Sequence, residues 1–374
     1  MRDVKFIKLL SIAMLLIVTT GCWDQSFLRD SSLAFSIAYD STDDPNKIHG
    51  TTVIRMLKPI GGGQTQPYNI EVEASGGSAR EIREEMNKIT PGEYSVNKLV
   101  SILIGEELAK KNIYALLDVF YRVSANNISA NLIVTKDKAG NILKMDYIKG
   151  ALLSKALNNL LKSAEKQSLI PKVSLATLMP IMYDPGQDYI LPYIEKAKHD
   201  TVKVSGIALF NDNNFTGKTI NGQKGSMLLM MQGKEGSTAQ FTFVDKYTKR
   251  DNPRNLTIAV LKSKRKINVK LVNGLPVYEL SLKIDASITE YVKSAVNEKI
   301  IKDLNKYITK EFTKMINQNM AILQKANCDA LGLGRELISK YPSAFKESEW
   351  KKTYKSVKLV PKVKVTIMEE GLIR

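Results

Sequence analysis

The sequence predicts a mixed α/β protein (α+β overall) of more than one domain, an N-terminal α/β layer followed by an antiparallel sheet packed against a long helix. Three patterns carry this. Between about residues 33 and 135, short apolar runs alternate with amphipathic stretches, the rhythm of strands layered against helices. Further on, Leu280, Leu282, Ile284, Ala286 and Ile288 alternate with Glu279, Ser281, Lys283, Asp285 and Ser287, which gives a strand one buried and one wet face. Then Val292, Val296, Ile300, Leu304, Ile308, Phe312, Met315 and Leu323 form an apolar stripe at helical spacing, with Lys and Glu on the other faces.

The chain opens with Arg2, Lys5 and Lys8, then an apolar run from Leu9 to Val18 interrupted only by Ser11. About ten apolar residues behind a basic start make a signal peptide and not a spanning helix. Thr20 and Gly21 are small and stand just before Cys22. The expectation is a lipoprotein signal over residues 1–21, with Cys22 taking an S-linked diacylglycerol and an N-linked acyl chain. Sulfur is the side-chain nucleophile suited to that thioether. Each buried CH2 contributes about 0.8 kcal/mol, so two or three chains hold firmly where one does not. No second apolar run reaches spanning length, so the mature protein is expected to be anchored to a membrane and not to cross it.

After the signal, Leu33–Tyr39 and Ile48–Leu57 read as strands paired across the turn Ser41–Asn46. Lys58–Pro67, with three consecutive glycines, reads as a flexible loop. Ser78 ahead of Glu81 signals a capped helix over Ala79–Ile89. Leu99–Ile104 and Ala130–Thr135 are nearly all apolar, hence strands buried on both faces, with helical stretches at Glu106–Lys111 and Tyr114–Arg122 between them. A further helix is expected at Ile148–Ser163. The polar segment Ala197–Thr201 is expected to separate an N-terminal domain, 22–198, with room to subdivide, from a C-terminal domain, 199–374. That second half offers strands at Val202–Phe210, Leu256–Leu261 and Lys266–Leu271, a hairpin turn at Asn273–Gly274, the long helix at about 291–325 and a closing strand, Val357–Ile367.

The 374 residues carry 55 Lys and Arg against 38 Asp and Glu, a formal net charge of +17. On an exported protein beside anionic lipid, that excess draws the body to the membrane surface or to acidic wall polymers. Nucleic acid, the other usual partner of a basic protein, is excluded by the export signal and by the lack of an aromatic-studded basic stripe. With Cys22 lipidated, Cys328 has no partner, so no disulfide framework is expected. His49 and His199 have no acidic neighbour at ligand spacing, and no zinc, nucleophile-elbow or calcium-loop motif is present. The sequence therefore predicts no catalytic residue, no metal, no cofactor and no enzyme activity. Two rival functions are a solute-binding lipoprotein of a transporter, which needs two matched lobes that the second half does not supply, and a wall-modifying enzyme.

Several blocks, in order along nearly the whole chain, resemble the Ger(x)C family. They are Gly21–Cys22–Trp23–Asp24, Ala34–Tyr39, Ser75–Arg80, Ile104–Ala109, Val204–Phe210, Asp329–Gly334, Trp350 and the last strand ending at Gly371. Leu331 and Leu333 stand where relatives often carry Phe. That family comprises the C-subunit lipoproteins of nutrient germinant receptors in spore-forming bacteria, with Cys22 as lipidation site and Trp23 and Asp24 as the family's N-terminal motif. The resemblance implies a non-enzymatic, mixed α/β, multi-domain subunit on the outer face of the spore inner membrane. Its partners would be membrane-embedded A and B subunits. No small-molecule ligand is expected, because the family's nutrient pocket is attributed mainly to the B subunit.

Overall fold

The computed structural model describes residues 31–124, 126–145, 147–148, 151–199, 201–244, 255–291 and 298–369. The signal, Cys22, Trp23, Asp24, Val292, Val296 and Gly371 lie outside the described residues.

A nine-stranded sheet holds the first half together. Strands β1 (Ser31–Ser41), β2 (Ile48–Gly61) and β3 (Gln64–Gly76) form an antiparallel ribbon. The stretch expected to be a flexible loop is the tip of this ribbon. Pairing runs out to Gly61 and Gln64, and Gly61, Gly62 and Gly63 turn the chain with φ of 97, 58 and 75°, a region closed to most side chains. Helix α1 (Ala79–Ile89) starts where Ser78 accepts the Glu81 N–H at 3.2 Å, while the Glu81 carboxylate accepts the Gly77 N–H at 2.8 Å. Then come β4 (Glu93–Ser95), β5 (Ser101–Gly105), α2 (Glu106–Ala109), α3 (Ile113–Arg122), β6 (Asn131–Thr135) and α4 (Gly140–Leu143). The two-residue strands β7 (Tyr147–Ile148) and β8 (Ala151–Leu152) delay the next helix, α5, to Leu153–Lys166. Helix α6 (Leu175–Met182) leads into β9 (Ile190–Ala197), β10 (Thr201–Asn211) and β11 (Asn214–Ile220).

The order across the sheet is β11-β10-β9-β6-β5-β1-β2-β3, with β4 beside the start of β1. Its centre is parallel (β1–β5, β5–β6, β6–β9) and its flanks antiparallel. Parallel strands need crossover helices on their faces, which explains why β5 is buried at every position and β6 at all but its first. Ile82, Leu117, Phe120 and Leu178 cover one face; Ile142, Leu143, Leu157 and Leu161 cover the other. The polar segment expected at the domain boundary is the turn between β9 and β10, which are hydrogen-bonded neighbours, so the large sheet continues to Ile220.

The second half is built on a four-stranded sheet, β12 (Gln240–Val244), β13 (Asn255–Val272), β14 (Leu275–Tyr291) and β15 (Lys358–Glu369). The two strands expected within 256–271 are one irregular strand, kinked at two register shifts, and Asn273 and Gly274 turn it with φ of 51 and 78°. The pairing is antiparallel except at the edge, where β15 runs parallel to β14 because helices lie between them in sequence. Those helices are α8 (Glu298–Ala326), α9 (Leu333–Lys340) and α10 (Glu347–Tyr354), with a single 3-10 turn at Pro342–Ala344. The inward residues of β14 and the α8 stripe Leu304, Ile308, Phe312, Ile316 and Leu323 face one another, as the alternation and the spacing require.

Helix α7 spans Gly222–Gln232, where Gly217, Gly222, Gly225, Gly233 and Gly236 obscure a helical pattern. Met227–Met231 are all fully buried, because α7 lies between the β9–β11 edge of the large sheet and the small sheet's inner face. One core therefore includes Ile207 and Leu209 from the large sheet and Leu280, Leu282 and Phe312 from the second half. Replacing Phe312 by Ala should cost about 3–5 kcal/mol in urea denaturation, since its ring packs 4.7 Å from that of Phe241 and 5.7 Å from that of Phe243.

Candidate functional site

The sequence-predicted site, Cys22 with Trp23 and Asp24, lies outside the described residues. Among the described residues, no group of three His, Cys, Asp or Glu side chains is placed to hold a metal ion. His49 pairs with Ser75 at 2.9 Å and with Glu73 at 3.4 Å on β2 and β3, and His199 takes φ of 57° in the β9–β10 turn. The densest polar construction is instead a joint where residues 184–189 and 211–213 of the large sheet meet residues 328–334 and 350–354 of the second half.

Asp329 is its centre. Helix α8 ends at Ala326, Asn327 turns the chain with φ of 52°, and Asp329 then caps the next helix. One carboxylate oxygen accepts the Leu333 N–H at 2.9 Å; the other accepts the Gly334 N–H at 2.8 Å and the Trp350 indole N–H at 3.2 Å. A carboxylate at a helix start matches both its free N–H groups and its dipole. The two glycines are required for different reasons. Gly332 sits at φ of 69°, and a Cβ on Gly334 would lie 2.7 Å from the Trp350 indole nitrogen and 2.8 Å from the Gly186 Cα. Gly186 is as tightly held, its would-be Cβ lying 2.5 Å from the Arg335 nitrogen.

Asp188 does for the large sheet what Asp329 does for the helix. Its N–H donates to the Asp329 carbonyl at 3.0 Å, and its carboxylate accepts the Asp329 N–H at 2.7 Å, the Asp212 N–H at 2.9 Å and the Lys351 ammonium at 2.6 Å. Lys351 also donates to Asn211 at 2.8 Å and lies 3.1 Å from the Asp212 carboxylate. The carbonyls of the 328–334 loop are taken up in turn. Tyr354 donates to that of Cys328 at 2.7 Å, Gln232 to that of Ala330 at 2.6 Å and Tyr278 to that of Leu333 at 2.9 Å.

Burial dominates the electrostatics. It pushes the Asp329 carboxyl up to about 7, against the pull of its three N–H donors, with the nearby Asp188 charge adding to the rise. Burial also raises Asp188, which Lys351 partly offsets; burial works against the Lys351 ammonium, yet Asp188 and Asp212 hold it above its ordinary value. The Cys328 thiol is fully buried and driven well up, so it is a packed side chain and not a nucleophile. A cleft of about 440 Å³ opens beside the joint, lined among others by Tyr183, Asp212, Glu347 and Lys351; a smaller one of about 190 Å³ lies by Lys172, Leu178 and Gln187. Asp188, Asp329 and Lys351 are each matched to donors or acceptors of the protein itself. This arrangement fixes two bodies together.

In the sequence, Asp329, Gly332, Gly334 and Trp350 stood out as a block, and the structure brings them together. Gly186, Asp188, Asn211 and Lys351 escaped notice because no local pattern marks a residue whose partners lie well over a hundred positions away.

Residues 24–196 match the family model described as a spore germination protein N-terminal domain, and residues 205–371 match the spore germination B3/GerAC-like C-terminal domain. The chain belongs to the Ger(x)C family. Its relatives include spore germination protein GerQC of Bacillus cereus, 25% identical over 94% of this chain and 95% of that one. Spore germination protein KC of Bacillus subtilis (strain 168) is 22% identical, over 98% of this chain and 95% of its own length. The crystal structure of the GerBC protein shares the fold, with a TM-score of 0.56 at 19% identity, covering 89% of this chain and 96% of that one. The two family models meet between 196 and 205, at the start of β10. The 184–189 loop thus falls in the N-terminal model and Asp329, Trp350 and Lys351 in the C-terminal one, so the joint ties the two matched parts together.

Asp329→Asn should cost about 2–4 kcal/mol, because an amide nitrogen then faces N–H donors it cannot accept from. Gly334→Ala should be at least as damaging. The folded state holds the Asp329 proton more tightly than the unfolded chain does, so this group's stabilisation is full below about pH 4 and is lost as pH rises through about 7. Urea melts of wild type and Asp329→Asn across that range should show the wild-type advantage shrinking with rising pH.

Proposed function

We propose that this chain is the C subunit of a nutrient germinant receptor, a lipid-anchored and non-enzymatic component needed for nutrient-triggered germination. The observation that carries the proposal is the match of both spore-germination family models, in order, over residues 24–196 and 205–371. The anchor is the acylated Cys22 that ends the basic and apolar N-terminal signal, and it holds the body on the outer face of the spore's inner membrane. No helix among the described residues is long and apolar enough to cross a membrane, which suits attachment by acyl chains. Two membrane-embedded subunits, A and B, are its partners, and the nutrient binds in the B subunit and not here. Trp23 and Asp24, directly after the acylated residue, are the family's N-terminal motif. The domain division at about 198 belongs to this proposal too, as a boundary of family modules and not a gap between separate bodies.

The acylation is tested by Cys22→Ala. Mass analysis of the native N-terminus should find an acylated cysteine, and the variant should drop out of detergent co-purification with the A and B subunits. Spores carrying only this receptor should then lose their response to its nutrient. An unmodified N-terminus, or full germination by spores that lack the gene and every paralogue, would count against the proposal.

A further inference from the structure

The outer face of the four-stranded sheet is a field of lysines whose arrangement costs folding stability. Lys264 of β13 lies opposite Lys283 of β14, and Lys283 lies opposite Lys364 of β15. All three are exposed and point away from the core, since their neighbours Leu282, Ile284 and Val365 are buried. Strands lie about 4.8 Å apart, so this is a row of three like charges at near-minimal spacing, and like charges directly opposite one another are destabilising. None of the three has an ion pair among the described residues. In the next row but one, Lys266 and Lys362 flank Ser281, with Lys362 paired to Glu279 at 2.7 Å.

The same face ends in a greasy tip. At the Asn273–Gly274 turn, Val272 and Leu275 on this face are 52% and 65% exposed, and Leu271 on the opposite face is 37% exposed. One step back, Lys270 and Lys358 sit on either side of Val277. Apolar side chains at a projecting turn, collared by lysines and backed by a broad basic face, fit a surface with anionic headgroups over hydrocarbon. An acidic polymer or acidic protein would complement the lysines, but a soluble polymer would offer nothing to the bare Val272 and Leu275.

We propose that this sheet face binds anionic phospholipid directly, with the β13–β14 tip entering the headgroup region, as a second attachment independent of acylation. It fits the anchored location proposed above, yet its test does not depend on the anchor. The full-length mature chain carrying Cys22→Ala, and so without acyl groups, is floated with vesicles of phosphatidylcholine alone or mixed with phosphatidylglycerol. Binding should require phosphatidylglycerol and weaken as salt is raised. At about 1 kcal/mol per lysine near such a surface, Lys264→Glu, Lys283→Glu and Lys364→Glu together should reduce it by about a hundredfold or more. The control reverses Lys302, Lys306 and Lys310, exposed on α8 on the other side of the sheet, and should bind almost as wild type.

A single change separates this role from a structural one. Lys283→Glu places an acid between two lysines, so it should raise the melting temperature while lowering vesicle binding. The tip is tested by Leu275→Ser, which should weaken vesicle binding and leave binding to soluble polyphosphate unchanged. The proposal is overturned if phosphatidylglycerol makes no difference, or if the α8 control loses binding as much as the sheet variant does. It is equally overturned if polyphosphate binds as tightly as vesicles and Leu275→Ser alters neither, which would assign the face to a soluble polyanion. Loss of membrane retention on Cys22→Ala in cells alongside intact vesicle binding in vitro would leave both proposals standing; an unacylated native N-terminus with intact vesicle binding would remove only the anchor.

Discussion

The structure turns on two buried acids that exchange a pair of hydrogen bonds, each donated by a main-chain N–H. Asp188 and Asp329 come from different halves of the chain, yet each donates an N–H to the other residue, carbonyl in one direction and carboxylate in the other. Bringing two carboxylates this close in a dry site is costly unless each is surrounded by donors. The surroundings meet that demand: a helix start and an indole for Asp329, a backbone N–H and an ammonium for Asp188. Removing any one member leaves a buried donor or charge without its partner, so the joint favours one relative placement of the two parts. The glycine contact at Gly186 and Gly334 enforces the same placement sterically.

The apolar side of the same junction explains why the matched domains are not separate bodies. Helix α7 is buried on every side, a pattern expected of a helix with no solvent face. It belongs to the core of the second half but packs against Ile207 and Ile220 of the large sheet. The hydrophobic contact supplies most of the adhesion, being non-directional and proportional to area. The acid joint supplies the register, since hydrogen bonds and a bare backbone approach tolerate little displacement. Neither would define the geometry without the other.

How legible this was in the sequence depended on range. Strand β14 and helix α8 were readable because their periodicities, two and about three and a half, are set by local geometry and one buried face. Ser78 with Glu81 marked a helix start for the same reason. The ribbon tip at Gly61–Gly63 was read as a loop because glycines suggest flexibility; paired strands on both sides had turned that freedom into a tight turn. Helix α7 was obscured because full burial erases amphipathic period, and β15 could not be oriented because parallel pairing is decided by three helices and not by the strand itself. Of the joint, the Asp329–Gly334 block and Trp350 were visible only as a resemblance. Asp188 and Lys351 look like ordinary charges until the fold brings them together.

Rigidity across the joint gives the lysine face its consequence. A tether at one end of a chain fixes distance from a bilayer but leaves orientation free. On the proposed anchor, a second contact becomes intramolecular, so even a weak surface engages. Because the two halves share one core and one acid joint, seating the β13–β15 face on lipid would orient the large sheet as well. The stability given up by lining Lys264, Lys283 and Lys364 in one row is then intelligible. On this proposal, the anionic headgroups supply the opposing charge that offsets the repulsion among the three lysines.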